Sequence, residues 1–70
     1  RDPTTYSADE MLAVLTVAAR ENPLDPYPHL YSGELLLAQG RSAEAARAYD
    51  AALRREPRSA QALVGLGRAI

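Results

Sequence analysis

Seventy residues confine the chain to one small domain with a modest core. The absence of cysteine removes disulfide frameworks and the thiolate ligands of zinc or redox sites. A formal net charge of −1 argues against a surface built for nucleic acid or acidic membranes, and no apolar run is long enough to span a bilayer.

All eight basic residues are arginine and alanine is the commonest residue, a bias that fits a high-GC bacterial coding sequence. Cytoplasm and periplasm are both compatible with this composition. The chain opens Arg1-Asp2-Pro3 without an initiating Met, so the expectation is a stretch of a longer protein.

Residues 1–6 read as a flexible entry arm, with Tyr6 placed to staple onto the turn that follows. A first helix is expected over residues 7–22. Ser7-Ala8-Asp9-Glu10 has the form of a capping box, in which the Ser oxygen and the Glu carboxylate satisfy two orphan amides reciprocally. Ala8, Met11, Leu12, Leu15, Ala18 and Ala19 then recur at helical spacing as one apolar stripe. Asn22-Pro23 ends it, because the residue before Pro is pushed out of helical dihedrals.

The second helix takes Asp25 as its cap and Pro26 as its first residue, where a missing amide costs nothing. Pro28 is tolerated in the same first turn. The helix runs to about Gln39, and Gly40 supplies a left-handed stop. Ser42 caps a third helix, with Glu44 set against the positive end of its dipole. Glu44 with Arg47 and Asp50 with Arg54 are spaced as helix-surface ion pairs. Pro57-Arg58-Ser59 is the next break, Ser59 caps a fourth helix that reaches Ile70, and no strand pattern intervenes. In that helix Leu63, Leu66 and Ile70 form an apolar stripe expected to pack partly on the third helix.

One spacing links these elements. Pro57 lies 34 residues after Pro23 and Gly67 lies 34 after Gly33, while Glu10, Ala18 and Arg20 return as Glu44, Ala52 and Arg54. A shared period in breakers, small residues and charges marks a helical repeat.

Residues 26–57 resemble a tetratricopeptide repeat, whose pattern is W-x2-L-G-x2-Y, then A-x3-F, then P. Gly33, Ala45, Tyr49 and Pro57 fit that pattern in spacing and type, and Leu36 replaces the first-helix Tyr conservatively. His29 stands where the family often has Trp, and Ser32 where Leu is usual; Leu66 and Gly67 restore the Leu-Gly pair in the next copy. The resemblance implies an all-α fold, with antiparallel helix pairs in a short right-handed solenoid of about four helices. Residues 7–22 become the second helix of a partial preceding repeat, residues 26–59 one complete repeat, and residues 60–70 the first helix of a following repeat or a capping helix. Gly33 and Ala45 are small where two helices approach closely, with Tyr49 filling the space beside them.

The same resemblance implies a concave groove lined by the first helices of successive repeats. By register that face carries Tyr27, Leu30, Glu34 and Leu37, extended by Gln61, Val64 and Arg68, and Tyr31 adds a second aromatic beside Tyr27; for Leu30 and Leu37 the alternative is packing against neighbouring helices. Its expected role is a non-enzymatic interaction module that docks a peptide or helix and serves a larger assembly. The alternative is a structural segment that self-associates, through its open-ended fourth helix, or packs within its parent chain. The basic and Asn clamp with which some members grip chaperone C-termini is not expected, because Leu30, Glu34 and Val64 occupy the corresponding face.

Other chemistry has little support in the residues. His29 is the only histidine, so no metal or catalytic cofactor site is expected and a structural role fits it best. Asp9 and Glu10 are adjacent in a first turn and point apart, which suits dipole compensation rather than paired acid/base work. Gly65 and Gly67 lie within an Ala/Leu helical pattern and follow no strand, so they form no phosphate loop. Arg47, Arg54, Arg55, Arg58 and Arg68 are interleaved with Glu44, Asp50 and Glu56, the pattern of a solvated ion-paired face rather than an RNA-binding one.

Overall fold

A computed structural model of the chain describes residues 7–70, in which four α-helices and no strand are found. They are α1 (Ala8–Glu21), α2 (Tyr27–Ala38), α3 (Ser42–Arg55) and α4 (Ala60–Ala69). The connections span only residues 22–26, 39–41 and 56–59, short enough to fold successive helices back as antiparallel neighbours. The expected entry arm and the Tyr6 staple lie outside the described residues.

Local chemistry sets the helix ends. Ser7 and Glu10 form the capping box: Ser7 Oγ accepts from the Glu10 amide at 3.2 Å and the Ser7 amide donates to Glu10 Oε1 at 3.4 Å. Ser59 caps α4 by accepting from the Ala62 amide at 3.2 Å. Gly40 stands at φ 76° and closes α2 with a Schellman turn, in which the Arg41 amide donates to Leu36 O at 2.9 Å and the Gly40 amide to Leu37 O at 3.0 Å.

Three sequence expectations shift here. Pro26 is the cap of α2 rather than its first residue. Its carbonyl accepts the first helical bond, from Leu30 at 3.0 Å, while Asp25 Oδ1 accepts from the Tyr27 amide from one position further out. Ser42 is the first residue of α3 and not its cap. The Schellman turn makes Arg41 both the last residue of one helix end and the cap of the next, and it offers no side-chain cap bond. Glu44 pairs with Arg41 instead of Arg47, through Nε at 3.1 Å and Nη2 at 2.6 Å. The Asp50–Arg54 pair forms as spaced, at 3.0 Å.

The core gathers around Tyr49, which is 3% exposed, with Leu30, Leu36, Ala45, Ala52, Ala62 and Ala69 buried near it. Small residues dominate the list, so the helices approach closely and Tyr49 supplies the volume between them. Of the α4 stripe expected to pack partly, only Leu66 reaches the core; α4 turns Ala62, Gly65 and Ala69 inward and leaves Leu63 54% and Ile70 93% exposed. Within that inward face Gly65 sits under the Tyr49 ring, where a Cβ would not fit. α1 has no buried residue, and among the described residues it packs on α2 alone of the other helices. Arg55 ties the α1–α2 connection to α3 by donating from Nε to Pro23 O at 2.6 Å.

Candidate functional site: the cleft between α2 and α4

Helices α2 and α4 both rest on α3, and a cleft of about 580 Å³ opens between them. Its α2 wall is Glu34, Leu37 and Ala38; its α4 wall is Ala60, Gln61, Val64 and Arg68; Tyr49 and Gly65 form the floor. A second hollow of about 510 Å³ continues it toward the start of α2, past Tyr27, Leu30 and Glu56, and Gln61 borders both. Tyr31 and Glu34 also border a hollow of about 300 Å³ on the α1 side, with Met11, Leu15 and Leu35.

The floor is made by a tyrosine on glycine. A Cβ at Gly33 would lie 2.9 Å from Tyr49 Cε1 and Cζ, and one at Gly65 would lie closer still to the same atoms. Both glycines therefore leave space that the ring occupies, and the ring's position sets the depth of the cleft. Burial raises the Tyr49 pKa above its usual value, and the Glu34 carboxylate raises it further against the opposing pull of Arg68. The fields of an acid on one wall and a base on the other thus meet at the floor.

The eight candidate groove residues, seven by register and Tyr31 beside Tyr27, fall into distinct settings. Glu34, Leu37, Gln61, Val64 and Arg68 line the main cleft together, with Val64 55% exposed. Tyr27 and Tyr31 stand half-exposed on α2 and stack on each other, with ring centroids 6.1 Å apart and planes inclined by 24°. Leu30 is the exception: at 3% exposure it belongs to the core and shows only a sliver of surface to the second hollow. It shares one buried cluster with Ala45, Tyr49 and Ala52 of α3.

Tyr49 and Gly65 are cleft residues that the register alone does not pick out. The 34-residue echo directs attention to Gly67, yet nothing lies within 4 Å of a Cβ at that position. The spacing of Ala62, Gly65 and Ala69 is the sequence signal that places Gly65 on the packed face. His29 is half-buried beside the cleft-bearing core. Its pKa is lowered, chiefly by burial and then by Arg55, with Asp25 pulling the other way. Among the described residues no group of three His, Cys, Asp or Glu side chains is placed to hold a metal ion, and no helix is long and apolar enough to cross a membrane.

No curated protein and no solved structure matches the chain in comparison. A family model described as the tetratricopeptide repeat matches residues 32–70, more than half of the chain and all of the Gly33–Ala45–Tyr49–Pro57 pattern. With four helices, tight turns and a tyrosine packed between small residues of adjacent helices, the chain belongs to the tetratricopeptide repeat family.

Proposed function

We propose that the α2–α4 cleft is the docking groove of a protein–protein interaction module that takes a peptide or helix of its partner. Repeats of this family generally mediate protein–protein interaction and are typically non-enzymatic. The observation that carries the reading is the cleft itself. It is a trough of about 580 Å³ whose floor is fixed by Tyr49 on glycine, with Leu37 and Val64 as apolar walls and Glu34 and Arg68 as charged edges. A trough with an apolar base and polar rims fits an extended segment or one face of a helix.

Peptides selected from a random library against the immobilised chain test this. Val64→Glu, on the exposed wall, is expected to weaken the selected peptides at least tenfold, about 1.4 kcal/mol. Arg47→Glu, on the outer face of α3, is expected to leave them unchanged. Equal effects from the two variants would remove the groove reading.

A second reading, self-association through α4, is favoured by a specific observation. Leu63 and Ile70 are exposed, and the space beside Gly67 is open. Sedimentation velocity over a hundredfold concentration range separates it from the first: a constant monomer mass excludes self-association.

A further inference from the structure

Deepening the groove reading, on which it rests, we propose that the ridge of α2 formed by Tyr27, Tyr31 and Glu34 selects an arginine of the bound segment. The guanidinium lies over the Tyr31 ring and against the Glu34 carboxylate, and a neighbouring aliphatic side chain enters the Leu37/Val64 part of the cleft.

The surface has the parts that such recognition needs. Tyr27, Tyr31 and Glu34 are spaced i, i+4 and i+7 on one helix, so they share a face, with Tyr31 between the other two. The tyrosines are 55% and 49% exposed, an aromatic surface left open to solvent rather than spent on the core. They stack on each other at 6.1 Å and 24°, and the surface each keeps open to solvent is what a planar cation would cover. Glu34 is exposed and takes part in no ion pair or hydrogen bond among the described residues, although the chain forms pairs elsewhere at Asp9, Glu44 and Asp50. Arg68 faces the same cleft without reaching it.

The cation's identity follows from shape. A guanidinium is planar and offers a fork of donors, so it can stack on tyrosine and donate to a carboxylate at once. A lysine ammonium is a strongly hydrated point charge that satisfies the carboxylate but gains less from the ring face. Arginine is therefore favoured over lysine, and lysine over a neutral isostere. Arg68 on the opposite wall would repel the same cation, which orients the segment with its arginine toward α2.

The test uses the 70-residue chain, labelled with nitrogen-15, and the peptide acetyl-Leu-Ala-Arg-Ala-Leu-amide. Comparators carry lysine, citrulline or glutamate in place of its arginine. The arginine peptide is expected to shift the amide signals of Tyr31, Glu34 and Val64, and the citrulline peptide to bind about three- to tenfold more weakly. Glu34→Gln and Tyr31→Ala change exposed side chains, so circular dichroism is expected to stay native while each narrows the arginine–citrulline gap. A citrulline or glutamate peptide that binds as tightly as the arginine peptide overturns the proposal, as does an arginine preference that survives Glu34→Gln. If all peptides shift Leu37 and Val64 alike, arginine selection fails and groove docking stands. If none of the peptides disturbs the α2–α4 cleft, and Val64→Glu leaves library-selected peptides unaffected, both fail.

Discussion

Tyr49 is the residue on which packing and cleft geometry converge. Its ring fills the space that a Cβ at Gly33 or Gly65 would take, and its edge forms the cleft floor. A methyl group at either glycine must push against a ring held by neighbours that are themselves buried, not against the free end of a flexible chain. Gly65→Ala is therefore expected to destabilise the fold by about 1–3 kcal/mol through overpacking. Gly67→Ala is expected to do the reverse. Nothing lies within 4 Å of its Cβ, so the only effect left is the relief of glycine's helix penalty, about 0.5–1 kcal/mol. For a domain of this size each kcal/mol moves Tm by about 4–8 °C, so thermal melts resolve the two signs. A rise in Tm for Gly65→Ala would show that the ring is free to move aside, and the fixed cleft floor would go with it.

At the scale of the element, the three serines that begin helices in the sequence are not equivalent. Ser59 accepts from the Ala62 amide and has extended dihedrals (φ −67°, ψ 108°), whereas Ser42 is already helical and caps nothing. Ser59→Ala is expected to cost about 1 kcal/mol by orphaning an amide at the start of α4, and with it the α4 wall of the cleft. Ser42→Ala is expected to be neutral or slightly stabilising, because alanine is the better residue inside a helix. Urea melts that show equal losses for both would contradict the cap assignment. The contrast also marks what a sequence can tell. Capping boxes and glycine stops are written in local spacing, so Ser7, Glu10, Gly40 and Ser59 were legible. Ser42 was not, because the Schellman turn at Gly40 uses up the connection and leaves Arg41 as the cap. Register likewise assigned Tyr27, Glu34, Leu37, Gln61, Val64 and Arg68 to one side of the helices. For Leu30 and Leu37 spacing left both packing and groove open, and it did not decide that Leu30 is the one that sinks into the core. That depends on how α2 seats on α3, which is a property of three dimensions.

The whole molecule is thin, 37 × 27 × 16 Å, and its smallest extent is under twice the diameter of a helix with its side chains, about 10–12 Å. Among the described residues no large side chain is therefore covered on all sides: even Tyr49 and Leu30 keep 3% of their surface. Stability must be unevenly shared in such a slab. α2, α3 and α4 contact one another around the tyrosine, while α1 leans on α2 with no buried residue and keeps Val14 59% and Val17 51% exposed. Polar tethers from Arg41 and Arg55 reach its ends. Arg41 approaches Asp9 at 4.0 Å, and Arg55 reaches back to Pro23 O across the connection. The first joins exposed side chains and contributes little. The second is a charge-assisted bond to a carbonyl, and Arg55 Nη1 also donates to Ala51 O at 2.8 Å. Local opening is expected to follow that order, as the least-buried unit opens first. In amide hydrogen exchange, Leu12–Ala19 should exchange well before Leu30–Leu37 and Tyr49–Leu53, and Arg55→Ala should speed α1 several-fold while leaving Tyr49–Leu53 almost unchanged. Uniform exchange across all four helices would mean that the slab opens only as a unit. A graded result keeps the cleft, built entirely on α2, α3 and α4, on the part of the molecule that stays closed while α1 opens.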